Sequence, residues 1–187
     1  MTAHWIDLKC HPSTTRTKSV RSIAVLVRRS ARELRLTYRL DADISRILIP
    51  PPAVARIGIE LWRHTCFEVF VAIEAQQQYH ELNFAPSGEW TVYAFRGYRN
   101  SSPLADKSMR PNIAVRSTDS RFELDAVARL DALSNLHPRA RIRIGLAAVI
   151  EASDGFSYWA LSHPEKKPDF HAADGFALPL EPPEPRR

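Results

Sequence analysis

Two acidic residues and an amide lie on neighbouring segments whose alternating pattern would place them on one side of a sheet. In residues 66–73 the apolar Phe and Val residues alternate, which leaves Glu68 on the opposite side. In residues 79–84 the apolar positions leave Glu81 and Asn83 on that same side if the two segments pair. The pattern therefore predicts two carboxyl groups and an amide that face a common space and can hydrogen-bond a ligand.

A third segment would leave room above these groups. In residues 141–150, Ile and Leu at alternate positions indicate a core-facing side, whereas Gly145 and Ala147 lie on the reverse side with almost no side chain. We expect these two small residues to make space for a ligand.

Aromatic and further polar residues flank this predicted floor in the sequence. An aromatic ring presents a flat face to the C–H side of a sugar ring, while carboxylates, amides and arginine hydrogen-bond its hydroxyl groups. The composition of the region favours saccharide binding, although tryptophans in a sheet protein often serve only as core or rim packing. The candidate ligand-binding residues are Trp62, His64, Glu68, Glu81, Asn83, Tyr98, Arg99, Trp159, His163 and His171.

The same residue types raise catalytic and metal alternatives. His64, Cys66 and Glu68 share a strand face, but side chains two apart on a strand point in parallel, and the three span about 13 Å at ~3.3 Å per residue. They cannot all reach one metal ion unaided, and Cys66 is expected to be a buried, inert thiol. Glu68 and Glu81 could act as acid and base on a glycosidic bond, which remains an alternative to simple binding.

The elements that must position these residues are almost all strands. The dominant period is two, and the one helical candidate, residues 130–136, is too short to cover a sheet. Strands that follow one another without crossover helices favour an antiparallel β-sandwich of about ten strands with minimal helix. The strand candidates are residues 23–27, 34–40, 44–49, 66–73, 79–84, 90–95, 113–117, 121–128, 142–150 and 156–161, with an edge strand over 176–180.

Composition sets wider limits. The chain has 187 residues, of which 44% are hydrophobic and 25% charged, which is typical of a globular protein and argues against disorder. The length predicts one domain over residues 1–187, with its core at about 11–180 and a loose, proline-rich tail at 181–187. Cys10 and Cys66 match no disulfide, haem-attachment or zinc motif. With no apolar leader or membrane-length run, we expect a cytoplasmic protein.

The positive charge is concentrated near the N-terminus. The net charge is +5, yet nine Lys or Arg and one acidic residue, Glu33, lie between Lys9 and Arg39. A basic domain can bind nucleic acid through phosphates, but no recognition motif accompanies this run. We therefore expect a solvated sheet face, a small-molecule ligand, and neither a nucleic-acid nor a membrane partner.

Four segments together resemble the DOMON-like family of bacterial proteins. They are LWRHTCFE at residues 61–68, YHELNFAPSGEW at 79–90, YWALSHP at 158–164 and KPDFH at 167–171. The resemblance runs from about His11 to Leu180. The family is related to DOMON domains and to family 9 carbohydrate-binding modules, which implies a β-sandwich that binds a ligand on one sheet.

The resemblance implies two ligand classes. The related carbohydrate-binding modules hold a terminal sugar between two tryptophans beside acidic and amide side chains, a pattern similar to Trp62, Glu68, Asn83 and Trp159. DOMON cytochromes instead hold haem b between Met and His, for which this chain offers Met109 and His163. We expect a non-catalytic saccharide-binding domain without a cofactor, with haem binding as the alternative.

Overall fold

Twelve strands are the main elements of the computed structural model, which describes residues 5–14, 18–104, 106–164 and 166–184. The short helix α1 spans Leu130–Leu133, and four further single turns are 3₁₀-helical. The strands are β1 Trp5–Cys10, β2 Val20–Arg29, β3 Glu33–Ala42, β4 Cys66–Ile73, β5 Tyr79–Phe84, β6 Trp90–Phe95, β7 Ser101–Pro103, β8 Asn112–Ser117, β9 Arg121–Arg129, β10 Ile142–Ala152, β11 Gly155–Ala160 and β12 Leu178–Leu180.

The strands pair antiparallel in the order β7-β6-β5-β4-β10-β11-β1-β2-β3-β9-β8, with β12 beside β10. Strand β1 pairs with both β2 and β11, so it joins two layers: β8-β9-β3-β2 and β7-β6-β5-β4-β10-β11. The apolar sides of both layers pack on each other. This confirms the predicted antiparallel β-sandwich with minimal helix.

The core between the layers comes from the period-two pattern of the strands. Fully burying each such side chain contributes about 1.5–3 kcal/mol. Tyr38 of β3 also donates a 2.7 Å hydrogen bond across the core to the backbone carbonyl of Glu68, which fixes β4 at that residue. Central core residues include Ile23, Leu36, Leu40 and Leu124 of one layer and Phe67, Val69, Val71, Leu82, Ile144 and Ile150 of the other.

The predicted strand over residues 44–49 is wrong. Residues Ile44–Arg46 form a 3₁₀ turn in which the Ile47 amide donates to the Ile44 carbonyl, and only Ile47 makes an isolated bridge. Strands β1 and β7 were not predicted. Strand β1 is short and begins at Trp5, the first described residue. Strand β7 consists of three exposed residues and has no apolar side.

Arginines of the basic run are engaged by neighbouring groups. Arg35 pairs with Glu33 at 2.7 Å and Arg39 with Asp41 at 3.6 Å. Arg29 donates to the backbone carbonyls of His137, Ala140 and Leu180. Arg16 of this run and residues 185–187 of the predicted tail lie outside the described residues. Across the described ranges, no helix is long and apolar enough to span a lipid bilayer.

Candidate functional site

A cavity of about 1030 Å³ opens on the β7-β6-β5-β4-β10-β11 layer, on the face turned away from the main core. Its lining combines carboxyl, basic and aromatic side chains. The loop at residues 166–171 covers one side, and the turn before β4 forms part of the rim. The lining residues are Glu60, Trp62, Arg63, His64, Glu68, Glu81, Tyr93, Phe95, Arg99, Ser101, Val149, Phe156, Tyr158, Lys167, Pro168, Phe170 and His171.

The floor of the cavity contains two buried carboxyl groups, Glu68 of β4 and Glu81 of β5, which we call the acidic floor. Glu68 is directly opposite Asn83 in the register, and Phe70 is opposite Glu81, so the two glutamates are diagonal neighbours. Diagonal neighbours on one sheet face lie within reach of long side chains. Their exposed fractions are 2% for Glu68 and 5% for Glu81. The predicted convergence of these residues on one face is what the register produces.

The Glu68 carboxyl has unused hydrogen-bonding capacity. Its Oε1 is buried and has no partner among the described residues. Burial and the nearby charge of Glu81 raise the pKa of Glu68 well above its usual value, because both effects disfavour the ionised form. A buried acceptor without a partner costs free energy, so a ligand that donates to it would recover that cost.

Asn83 lies beneath the cavity surface. It is fully buried, its amide donates a 2.7 Å hydrogen bond to Oε1 of Glu81, and its Oδ1 accepts from the Cys66 thiol at 3.6 Å. Burial raises the pKa of Glu81, while the Asn83 hydrogen bond and the charge of Arg99 act to lower it. Asn83 thus orients Glu81 and does not itself line the cavity.

His171 reaches Glu81 from the 166–171 loop. Its Nε2 lies 3.7 Å from Oε2 of Glu81, and its Nδ1 lies 2.9 Å from the Tyr79 hydroxyl. That hydroxyl accepts from the backbone amide of Arg99 and is free to donate to Nδ1. When it does, the imidazole proton lies on Nε2, facing Glu81. Burial lowers the pKa of His171 to about 4, so the ring is neutral at neutral pH.

Asp169 fastens the 166–171 loop to the sheet. Its carboxylate accepts from the Tyr98 hydroxyl at 2.6 Å, from Arg99 at 2.8 Å and from the backbone amide of His171 at 3.1 Å. Although burial acts to raise it, the hydrogen bonds from Tyr98 and Arg99 hold the pKa of Asp169 below its usual value. Tyr98 therefore supports the loop from outside the lining, whereas Arg99 both supports the loop and lines the cavity.

The rim of the cavity carries Trp62 and His64, two of the candidate residues from the sequence. Trp62 is 44% exposed, with the guanidinium of Arg63 5.2 Å from its ring centroid. His64 Nδ1 lies 2.8 Å from Oε2 of Glu151. Glu60, the residue before this turn, has a φ of 51°, a left-handed conformation that non-glycine residues rarely adopt. The turn thus holds an aromatic ring and an oriented imidazole at the mouth.

Besides Asn83 and Tyr98, two further predicted site residues do not line the cavity. Trp159 is 8% exposed and packs in the main core, where its indole donates to the Ser157 hydroxyl. It points away from the site because neighbouring residues of a strand face opposite sides. His163 lies within hydrogen-bond distance, 2.7 Å, of the Lys9 carbonyl and packs on the ring of His11.

The haem alternative named Met109 and His163 as the axial ligands. Met109 is buried in the main core, since its 3₁₀ turn at Lys107–Met109 directs the thioether inward. His163 belongs to the cluster with His11, outside that core. Neither residue lines the large cavity. The two predicted axial ligands therefore lie in separate surroundings.

The space expected above Gly145 is occupied by the protein itself. A Cβ at Gly145 would lie 2.9 Å from Cδ1 of Phe176 and 3.2 Å from the carbonyl of Gly175. Ala147 and Phe176 pack in one small apolar cluster that is separate from the main core. The small residues accept the returning C-terminal segment rather than a ligand, and the cavity lies further along β4 and β5.

Sequence reasoning missed most of the aromatic lining. Phe156 and Tyr158 of β11, Phe170 of the loop, and Tyr93 and Phe95 of β6 all line the cavity. The pairing of β10 with β11 shows which side of β11 faces the core: Ala148 and Ile150 are core residues, and their partners on β11 are Trp159 and Ser157. Tyr158 must then face the other side, toward the site.

Other sites receive less support. Among the residues that the structure describes, no three His, Cys, Asp or Glu side chains converge so as to hold a metal ion. A second cavity of about 520 Å³ lies between residues 52–55, 86–88 and 110–115. Its described lining has one charged side chain, Arg110, and neither an aromatic ring nor a carboxylate. The cavity above the acidic floor is thus the better candidate.

Comparisons with known proteins identify relatives in structure only. Neither a protein-family profile nor a curated protein sequence matches the chain. A candidate carbohydrate-binding protein from Bacteroides uniformis superposes with a TM-score of 0.69 at 13% identity, covering 92% of this chain and 84% of the other. Two structures of a family 9 carbohydrate-binding module from Caldicellulosiruptor kristjanssonii also match.

The first of these, in complex with cellotriose, has a TM-score of 0.52 at 11% identity over 93% of this chain and 76% of the module. The second, in complex with glucose, has a TM-score of 0.50 at 10% identity over 93% and 78%. At these identities the likeness establishes a shared β-sandwich fold.

Proposed function

We propose that the protein binds a saccharide in the cavity above the acidic floor, without converting it chemically. The observation that carries this proposal is the buried, unpartnered Oε1 of Glu68 beneath a cavity with exposed aromatic rings. Saccharide hydroxyl groups donate hydrogen bonds, and the C–H faces of the sugar pack on aromatic rings. The structural neighbours that bind cellotriose and glucose support the same ligand class.

A relationship to DOMON-like proteins is part of the same proposal. The segments around Trp62, Glu81 and His171 that resemble this family contribute the rim, floor and loop of the cavity. The resemblance and the geometry therefore converge on one surface, although Trp159 of the expected tryptophan pair lies in the core. Tyr158 and Phe156, from the same strand, supply the aromatic surface on that side.

The proposal is tested by screening a panel of soluble mono- and oligosaccharides by isothermal titration calorimetry, with cellotriose and glucose among them. For each saccharide that binds, Trp62→Ala is compared with Trp5→Ala. Trp5 has a similar exposed fraction, 38%, on β1 and does not line the cavity. We expect Trp62→Ala to weaken binding by about tenfold or more, or about 1.4 kcal/mol, with little change in melting temperature.

The control variant should bind as the wild type does. A panel without a binder, or equal losses in the two tryptophan variants, would contradict the proposal. Chromatography of the recovered saccharide distinguishes binding from cleavage, because an enzyme that uses Glu68 and Glu81 as acid and base would release shorter products.

A further inference from the structure

The acidic floor lacks a cationic partner supplied by the protein. The only basic side chain in ion-pair range of Glu81 is His171 at 3.7 Å, and none is in range of Glu68, among the described residues. His171 is neutral at neutral pH, since burial lowers its pKa to about 4. Two carboxyl groups with small exposed fractions therefore face a cavity without a compensating charge.

Other titratable groups around the floor do not supply that charge. On β4 the Cys66 thiol is buried, and its pKa is raised by burial and by the two glutamates, which keeps it neutral. From the facing layer, Tyr38 reaches only the backbone carbonyl of Glu68. Arg99 is paired with Asp169 at 2.8 Å. The floor thus retains an unbalanced negative character whenever both carboxyl groups ionise.

The charged groups at the cavity mouth are paired or exposed to solvent. Arg63 pairs with Glu60 at 2.9 Å, and His64 lies 2.8 Å from Glu151. Lys167 is exposed, where water and salt screen its charge. Among the described residues, none of these mouth groups lies in ion-pair range of Glu68 or Glu81.

We infer that the site prefers a saccharide that carries a protonated primary amine, which would sit between Glu68 and Glu81. This inference rests on the proposed saccharide function and specifies its ligand class. An ammonium group donates three hydrogen bonds and brings a positive charge, whereas a hydroxyl donates one. Hydrogen bonds between ionised partners are about twice as strong as neutral ones. The ammonium would satisfy Oε1 of Glu68 and reduce the repulsion between the carboxylates.

A metal ion fits the floor less well than an ammonium group. The described residues offer no group of three His, Cys, Asp or Glu ligands there, and Asn83 already uses its amide and its carbonyl oxygen within the protein. The overall charge of +5 also disfavours nonspecific attraction of cationic saccharides. A preference for an amine must therefore come from the local site.

Three trisaccharides that differ only at C2 test the inference. The deacetylated chitosan trisaccharide carries an amine, N,N′,N″-triacetylchitotriose (called chitotriose below) carries an N-acetyl group, and cellotriose carries a hydroxyl group. Each is titrated calorimetrically near neutral pH, because a more acidic buffer would protonate Glu68 and Glu81, whose pKa values are raised by burial. We expect the chitosan trisaccharide to bind at least about tenfold more tightly than the other two. Glu68→Gln and Glu81→Gln should each reduce this preference to below about threefold, while Glu74→Gln, an exposed control remote from the lining, should preserve it.

The outcomes separate this inference from the proposed function. Equal or tighter binding of cellotriose or chitotriose would overturn the amine preference and leave saccharide binding intact. An amine preference that survives in both floor variants would overturn the assignment to Glu68 and Glu81. If none of the three trisaccharides nor any member of the wider panel binds, both proposals fail. The three trisaccharides are compared on the wild-type protein, so the amine preference is tested even if a variant fails to fold.

Discussion

The side-chain amide of Asn83 donates a 2.7 Å hydrogen bond to Oε1 of Glu81. Asn83 is also the residue of β5 that lies directly opposite Glu68 of β4. This bond satisfies one carboxyl of the acidic floor from within the protein. Glu68 receives no equivalent bond at its Oε1 and is the more deeply buried of the two. The two glutamates therefore differ: Glu81 is oriented by the fold, whereas Glu68 keeps an acceptor without a partner among the described residues.

The burial of Glu68 makes the stability of the protein depend on pH. Because burial raises the pKa of folded Glu68 above its unfolded value, the associated stabilisation is fully present below the unfolded pKa. It is lost as pH rises through the folded pKa. Glu68→Gln removes this loss, so we expect a melting temperature a few degrees higher than wild type at neutral pH, where about 1 kcal/mol corresponds to roughly 2–4 °C.

Melting curves recorded across pH test this expectation. The difference between wild type and Glu68→Gln should shrink as the pH falls toward the ordinary range of a glutamate, and Glu74→Gln should follow the wild type throughout. A variant that melts well below the wild type at neutral pH would show that Glu68 is a structural acceptor needed by the fold.

Asp169→Asn should loosen the 166–171 loop. The change keeps the side-chain volume but removes the charged acceptor of Tyr98 and Arg99. Because Arg99 is half exposed, we expect a modest loss of about 1 kcal/mol in unfolding free energy. Hydrogen–deuterium exchange of the loop amides should accelerate, and saccharide affinity should fall because His171 and Phe170 are held less firmly.

Asp174→Asn, at an exposed site shortly after this loop, is the matched control and should exchange as the wild type does. The pKa of Asp169 lies below its usual value, so its contribution is present above the unfolded pKa and disappears as pH falls through the folded pKa. Unchanged hydrogen–deuterium exchange of the loop amides in Asp169→Asn would show that Asp169 does not hold the loop against the sheet.

Gly145→Ala should destabilise the protein by about 1–3 kcal/mol, the usual cost of overpacking. The new methyl group would lie 2.9 Å from the Phe176 ring, which covers β10 at this point. Gly97→Ala is the control, since a Cβ there meets nothing within 4 Å. Chemical denaturation of both variants measures the difference, and an equally stable Gly145→Ala would show that the C-terminal segment does not pack there.

Local alternation predicted much of the fold. Strands β4, β5 and β6 begin and end at the predicted residues, because each has apolar side chains at alternate positions and is bounded by turns. The predicted strand at residues 44–49 failed because Ser45 and the turn carbonyls form local hydrogen bonds that compete with sheet pairing. Edge strand β7 has no apolar side, so periodicity contains no signal for it.

The sequence predicted the candidate site only where the pattern within a single strand determines which way a side chain faces. The sides of Glu68 and Glu81 follow from alternation within β4 and β5. The side of Trp159 required the register between β10 and β11, and the filling of the space above Gly145 depends on Phe176, more than 30 residues further along the chain. Such contacts between distant segments are set by tertiary packing, which a local pattern does not encode.

The most direct test of the saccharide site is the affinity of Glu68→Gln for the tightest-binding saccharide of the panel, measured by calorimetry beside the wild type and Glu74→Gln. The isosteric amide keeps the volume and removes a charged acceptor, for which the expected loss is about 1.5–3 kcal/mol. We predict this loss together with an unchanged or higher melting temperature, and wild-type affinity for Glu74→Gln. Unchanged affinity with a strongly lowered melting temperature would contradict the placement of the site.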